Sequence, residues 1–201
     1  WMGFFSLTML RIALELARDN PVYQDLATKF FEHFLAIATA MSQGFGGQGL
    51  WDEADGFYYD VLHLPDGSLH PLKVRSLVGL MPLIAVEVLD AELLAQMPDF
   101  RGRMDWFLQN RPHLSGNIVC REDGASGQER RILGIVTPDR LQRILRIMLD
   151  ETEFLSPYGL RSLSKAHQTP YQVQVNGERF HIAYEPGESQ SGLFGGNSNW
   201  R

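Results

Sequence analysis

The opening residues, WMGFFSLTMLRIALELARDNPVYQDLATKFFEHFLAIATAM (Trp1–Met41), set the architecture expected of this chain. Met2, Phe5, Met9, Ile12 and Leu16 recur at three- and four-residue spacing, the signature of a helix. Arg11 and Glu15 are its only charges before the last turn, and a helix apolar nearly all round belongs inside a large protein. Asn20-Pro21 supplies a cap and a first-turn proline. A second helix is expected over 22–41, with Leu26, Phe30, Phe34, Ile37 and Met41 on one face. Few residues join the two helices, so they should lie antiparallel as a hairpin.

Outward from this hairpin, the glycine-rich run at Gly44–Gly49 is loop. Gly56 and the alternating, aromatic FYYDV (57–61) suggest a short strand, and Pro65-Asp66-Gly67 a turn, because proline presets one dihedral and glycine accepts a positive one, so a β-hairpin-like excursion is expected. Ser76 to Leu89 reads as a third apolar helix, kinked or delayed by Pro82. Asp90 to Gln96 reads as a short helix. Pro98 opens another, carrying Phe100, Met104, Phe107 and Leu108. Ser115 to Ile132 is polar loop, and Thr137-Pro138 starts a helix with Leu141, Ile144, Leu145 and Met148. In YQVQVNGERFHIAY, two alternating runs flank Asn176-Gly177, the strongest short hairpin signal. The sum is a mainly α chain: part of an (α/α)6 toroid of helical hairpins, with short β-hairpins in the loops at one rim.

Composition narrows the function classes. The 201 residues are 44% hydrophobic and 21% charged, with net charge −6 and interspersed signs. A nucleic-acid surface would need clustered Lys and Arg. Cys120 is alone, so neither an intrachain disulfide nor a cysteine metal cluster can form. The six histidines are scattered without a metal-ligand spacing, although His63 and His70 flank one turn and would face each other. No cofactor is implied. The first helix is too interrupted to span a membrane, which takes ~20 predominantly apolar residues. It also lacks the basic lead-in of a signal peptide. A cytoplasmic location is expected. Trp1 and Arg201 both fall inside apparent structural elements, so the chain reads as one fragment, 1–201, of a larger domain.

Five segments then carry a resemblance: WMGFFSLTMLRIALELA (1–17), GLWDEADGFYYDVL (49–62), VRSLVGLMPL (74–83), EFLSPYGLRSLSKAH (153–167) and YEPGESQSGLFGGNSNWR (184–201). In this order they resemble the catalytic (α/α)6-barrel domain of glycoside hydrolase family 63, especially its long bacterial members. The resemblance implies an inverting α-glucosidase-like enzyme acting on an oligosaccharide or glycoside. In such an enzyme one acid protonates the leaving oxygen and one base activates water, the two carboxyl groups standing ~6.5–9.5 Å apart. The family's acid aligns just upstream of Trp1 and its base downstream of Arg201, so the catalytic pair falls outside this chain. What remains is cleft wall and sugar-contacting loop. The rival reading is a non-enzymatic helical scaffold or protein-binding module.

The candidate contact residues follow from side-chain chemistry. Asp52, Glu53, Asp55 and Asp60 put four carboxylates within nine residues. Turn formation is the stronger reading for Asp52, Glu53 and Asp55. Trp51 or Tyr58 would stack on a sugar and Asp60 would bond its hydroxyls, with Tyr58 and Asp60 on one strand face and Phe57 and Tyr59 on the other. Arg75, just before an apolar run, is unfavourable beside a helix N-terminus. It therefore calls for a specific partner, a cleft carboxylate or a sugar hydroxyl. Glu188, Asn197, Asn199, Trp200 and Arg201 complete the set, in a loop where glycine permits close backbone approach.

Overall fold

A computed structural model describes residues 1–44, 47, 49–111, 130–175 and 177–185. Five α-helices are described: α1 (Met2–Ala17), α2 (Tyr23–Gln43), α3 (Ala91–Gln96), α4 (Pro98–Asn110) and α5 (Pro138–Met148). Ten short strands pair into five two-stranded antiparallel ladders, β1–β2, β3–β4, β5–β6, β7–β8 and β9–β10. The composition is about 48% helix and 23% strand. This corrects the mainly α expectation. The described residues form a mixed α/β fold and not a toroid of helical hairpins. Among the described residues α1 and α2 form one long helical hairpin, and ten runs of two to five residues, a length that suits short ladders, are strand.

The contacts divide the chain into two compact units: Trp1–Gly49 with Met81–Pro138, and Leu50–Leu80 with Asp139–Arg201. The first unit is built on α1 and α2. The Asn20 side chain accepts from Val22 N (3.2 Å) and its carbonyl from Tyr23 N (3.1 Å), so the tight connection behaves as the sequence suggests. The packed face of α1 is a different one from that expected. Leu7, Leu10, Ala13, Leu14 and Ala17 are buried, whereas Met2, Phe5, Ile12 and Leu16 are exposed. On a helix apolar all round, periodicity cannot choose the inward face. The α2 face presents Phe31, Phe34, Leu35 and Ala38. The Phe31 ring meets Phe100 and Phe107 of α4 edge-on, at 6.0 and 6.3 Å. No side chain local to α4 caps its N-terminus. Instead Gln24 reaches across from α2, and its amide oxygen accepts from Asp99 N and Phe100 N, each at 3.1 Å. That satisfies two of the donors every helix start leaves open.

β5 (Val86–Asp90) and β6 (Arg130–Gly134) close the first unit, with Val86 opposite Gly134 and Asp90 opposite Arg130. They correct two readings: the third helix does not run to Leu89, and 130–132 is strand rather than loop. Leu77–Ile84 is a 3-10 helix with Pro82 inside it. A proline cannot supply the amide an α-helix needs there.

The second unit carries β1 (Trp51–Asp52), β2 (Phe57–Tyr58), β3 (Asp60–His63), β4 (Leu69–Leu72), β7 (Leu155–Ser156), β8 (Gly159–Leu160), β9 (Tyr171–Val175) and β10 (Glu178–Ile182). Its apolar centre includes Phe57, Phe154, Leu80, Ile144 and Leu163, all buried. Phe57 and Phe154 stack with centroids 5.8 Å apart. Gly67 (φ 83°) and Gly177 (φ 84°) take the positive dihedrals their hairpins require. The first hairpin sets His70 opposite Leu62, so His63 and His70 do not face each other.

Candidate functional site

The densest polar cluster among the described residues centres on Arg75 in the second unit. The backbone around Arg75 forms an isolated antiparallel bridge, Ser76 with Leu163: Ser164 N donates to Arg75 O and Leu77 N to Ser162 O, both at 2.8 Å. This fixes the start of the Arg75 side chain. Its guanidinium is ion-paired through Nη1 to Glu153 Oε1, and its Nε donates to the Tyr59 hydroxyl at 3.2 Å. The Arg75 backbone N–H donates to His167 Nε2 at 2.8 Å. Glu153 accepts a second bond, from the Ser164 hydroxyl, through its other oxygen. Both charged side chains are largely enclosed, with 23% of Arg75 and 14% of Glu153 exposed. The specific partner that the position of Arg75 called for is therefore a carboxylate, Glu153.

The turn that presents Glu153 is held by a second buried arginine. Arg161 is 6% exposed, and its Nη1 donates to the carbonyls of Glu151 (3.1 Å), Glu153 (3.2 Å) and Leu155. Burial pushes the Tyr59 phenol above its ordinary pKa, while Arg75 pulls it back. Burial and then the Arg75 charge hold the His167 imidazole below its usual value of 6.5, against the opposing pull of Glu153. His167 accordingly stays neutral near pH 7. Its ring meets Tyr171 edge-on at 6.3 Å, and the Tyr171 hydroxyl accepts from Lys73 N at 3.3 Å.

Trp51 and Tyr58 are brought together, as directly paired residues of β1 and β2 with ring centroids 4.9 Å apart. The faces of Trp51 are engaged by protein: the Arg140 and Arg143 guanidiniums lie 4.9 and 5.4 Å from its ring centre. Both arginines are tied to Glu53. The Tyr58 side chain is buried, and burial raises its pKa against the opposing influence of Arg140. Phe57, Tyr58 and Tyr59 are all buried, and their rings divide as the expected alternation has it: Phe57 and Tyr59 lie 5.4 Å apart, whereas Tyr58 meets Trp51. Asp60 is exposed at the start of β3, with no side-chain partner among the described residues. Asp52 and Asp55 do form a turn, Asp55 N donating to Asp52 Oδ1 at 2.8 Å. Lys73 bridges the two carboxylates at 2.8 and 3.1 Å; its hydrogen bond lowers the Asp52 pKa, and the two bonds raise its own. Glu188, Asn197, Asn199, Trp200 and Arg201 lie outside the described residues.

Glu153 escapes a sequence reading. Ser164, beside His167, reads from its sequence context as a loop-capping serine, and its side chain does accept from Ala166 N, but the contacts that both residues make with the Arg75–Glu153 pair do not show in the sequence. Arg75 meets Glu153 across 78 positions and His167 across 92, and no local spacing encodes such contacts. The one available signal was the uncomfortable position of Arg75 itself. Among the described residues no group of three or more His, Cys, Asp or Glu side chains could hold a metal ion, and no helix is long and apolar enough to cross a membrane.

Comparison with known proteins finds a relative in Saccharomyces cerevisiae, the uncharacterized protein YMR196W, 49% identical over 214 aligned positions. The match takes in 100% of this chain but 20% of the yeast protein, so the chain spans about a fifth of that relative's length. No protein-family model and no solved structure matches the chain.

Proposed function

We propose that this chain is part of an inverting α-glucosidase-like glycoside hydrolase of family 63, and that it lines the saccharide site while the catalytic carboxyl pair lies in sequence beyond these 201 residues. The observation that carries the reading is the convergence on Arg75. Three of the five segments that resemble the family, 49–62, 74–83 and 153–167, supply Tyr59, Arg75, Glu153, Ser164 and His167. A pyranose hydroxyl both gives and takes a hydrogen bond, so a sugar wall needs donors and acceptors in one place. The guanidinium and the phenol donate, the carboxylate accepts, and Arg75 and Glu153 balance in charge. That balance suits a neutral polyol better than an ionic ligand.

The test is hydrolysis by the full-length protein. It is incubated with a panel of α-linked glucosides and the fresh product is followed by proton NMR. Inversion requires β-glucose to appear first. α-Glucose first, or no cleavage across the panel, overturns the proposal; the latter leaves a scaffold or binding module as the reading. A cytoplasmic location belongs to the same proposal and is checked by fractionation of cells expressing the full-length protein.

A further inference from the structure

His167 is the part of this cluster whose chemistry is fixed most tightly by its surroundings. A backbone amide can only donate. The 2.8 Å contact from Arg75 N therefore demands a lone pair on His167 Nε2, which makes the ring neutral and puts its proton on Nδ1. An imidazolium has no lone pair to offer. Both backbone polar groups of Arg75 are thus held by one short segment: the N–H by His167 and the carbonyl by Ser164 N. The same segment reaches the other half of the ion pair, since the Ser164 hydroxyl donates to Glu153. The segment is itself braced. His167 N donates to Ser164 O at 3.1 Å, Ala166 N to Ser164 Oγ at 3.0 Å, and Tyr184 N to His167 O at 2.8 Å. The charged and titratable groups that face the imidazole are Arg75 beside the 3-10 helix, Glu153 in the turn after α5, and Tyr171 of β9.

We propose that His167 is a positioning residue: as a neutral imidazole accepting the Arg75 amide, it holds the Arg75 backbone so that the guanidinium stays aimed at Glu153 and Tyr59. Its role in turnover rests on the saccharide-site reading above; its role in holding Arg75 does not, and the two fail separately.

The holding role is tested by NMR on the full-length protein with selectively labelled histidine nitrogens. The expected result is a proton on Nδ1 of His167, a bare Nε2, and an Arg75 amide resonance that moves together with the imidazole as the solution is acidified. A proton on Nε2, or an imidazole that titrates while the Arg75 amide stays still, overturns it. The role in turnover is tested in the full-length protein. His167→Gln retains an acceptor oxygen, so it should keep kcat/KM within roughly threefold and flatten the acid limb of the pH profile. His167→Leu has no acceptor and should lose roughly tenfold or more, chiefly through KM. Equal losses in the two variants, or an unchanged acid limb in His167→Gln, refute the positioning role. If the wild type cleaves no glycoside, the saccharide reading and the role in turnover fall together, and the NMR result alone decides whether His167 holds Arg75.

Discussion

Replacing Gly79 by alanine puts the seat of the 3-10 helix to a direct test. A Cβ built on Gly79 would lie 2.5 Å from the Tyr58 carbonyl oxygen and 2.7 Å from Phe57 Cζ. Neither neighbour can swing aside. Phe57 is fully buried and stacked on Phe154, and the other obstacle is backbone. Overpacking of a tight core costs ~1–3 kcal/mol, and rigid obstacles push towards the upper end. About 3 kcal/mol is more than a hundredfold in the folding equilibrium. With a urea m-value near 2 kcal/mol/M, the midpoint should fall by about 1.5 M. The assay is urea unfolding followed by tryptophan fluorescence, with Trp51 as a reporter in the second unit. Gly102→Ala is the control: nothing lies within 4 Å of its new methyl group, on the exposed side of α4. It should raise stability by ~0.5–1 kcal/mol through helix propensity alone. A Gly79→Ala midpoint indistinguishable from that of the wild type would show that the 3-10 helix does not rest on Phe57 and Tyr58.

Three further outcomes follow from the same geometry. Arg75→Leu leaves Glu153 enclosed without its cation; removal of one partner from a fully buried pair costs ~3–5 kcal/mol, and the residual solvent contact here reduces that to about 2 kcal/mol, measured by thermal or urea unfolding. Gln24→Ala strips the acceptor from Asp99 N and Phe100 N and should cost ~1–2 kcal/mol, with amide exchange accelerated first at those two positions. Stability should be flat with respect to His167 above pH ~6.5 and decline on acidification, because its folded pKa is depressed and the unfolded chain takes the proton first. Asp52 adds a separate loss as the pH falls below its unfolded value of about 3.8. His167→Gln should remove the first decline and leave the second in a pH series of unfolding curves.

Much of the local structure was legible where a residue has a mechanical reason to be where it is. Asn20-Pro21, Pro65-Asp66-Gly67, Gly177 and Pro138 each fix a dihedral or a missing donor, and each marks a turn or helix start. Legibility failed where the partner is distant. VEVLD at Val86–Asp90 continues an apolar run and reads as helix; it is strand because RRILG, more than forty residues later, pairs with it. The mainly α expectation failed through the same omission, repeated across several ladders. At the site, Trp51, Tyr58 and Arg75 were marked by their side-chain chemistry. The structure joins the first two to each other and gives Arg75 a carboxylate. The acidic stretch around Glu153 offers no hint that this one carboxylate turns inward, because its selection depends on Arg75, Ser164 and the carbonyl-binding Arg161.

The interleaving of the two units bears on how the chain is made. Residues 1–49 must wait for 81–138, and residues 50–80 for 139 onward, before either group has its complement. At ~5–20 residues per second, the roughly ninety positions between 49 and 138 take about 5–20 s to emerge from the ribosome. During that interval the newborn α1–α2 pair displays Phe31 to solvent or to a chaperone, because Phe100 and Phe107 have yet to be synthesised or to dock. Cutting the gene at a unit boundary would make the wait permanent, and the shortened product should be recovered as aggregate.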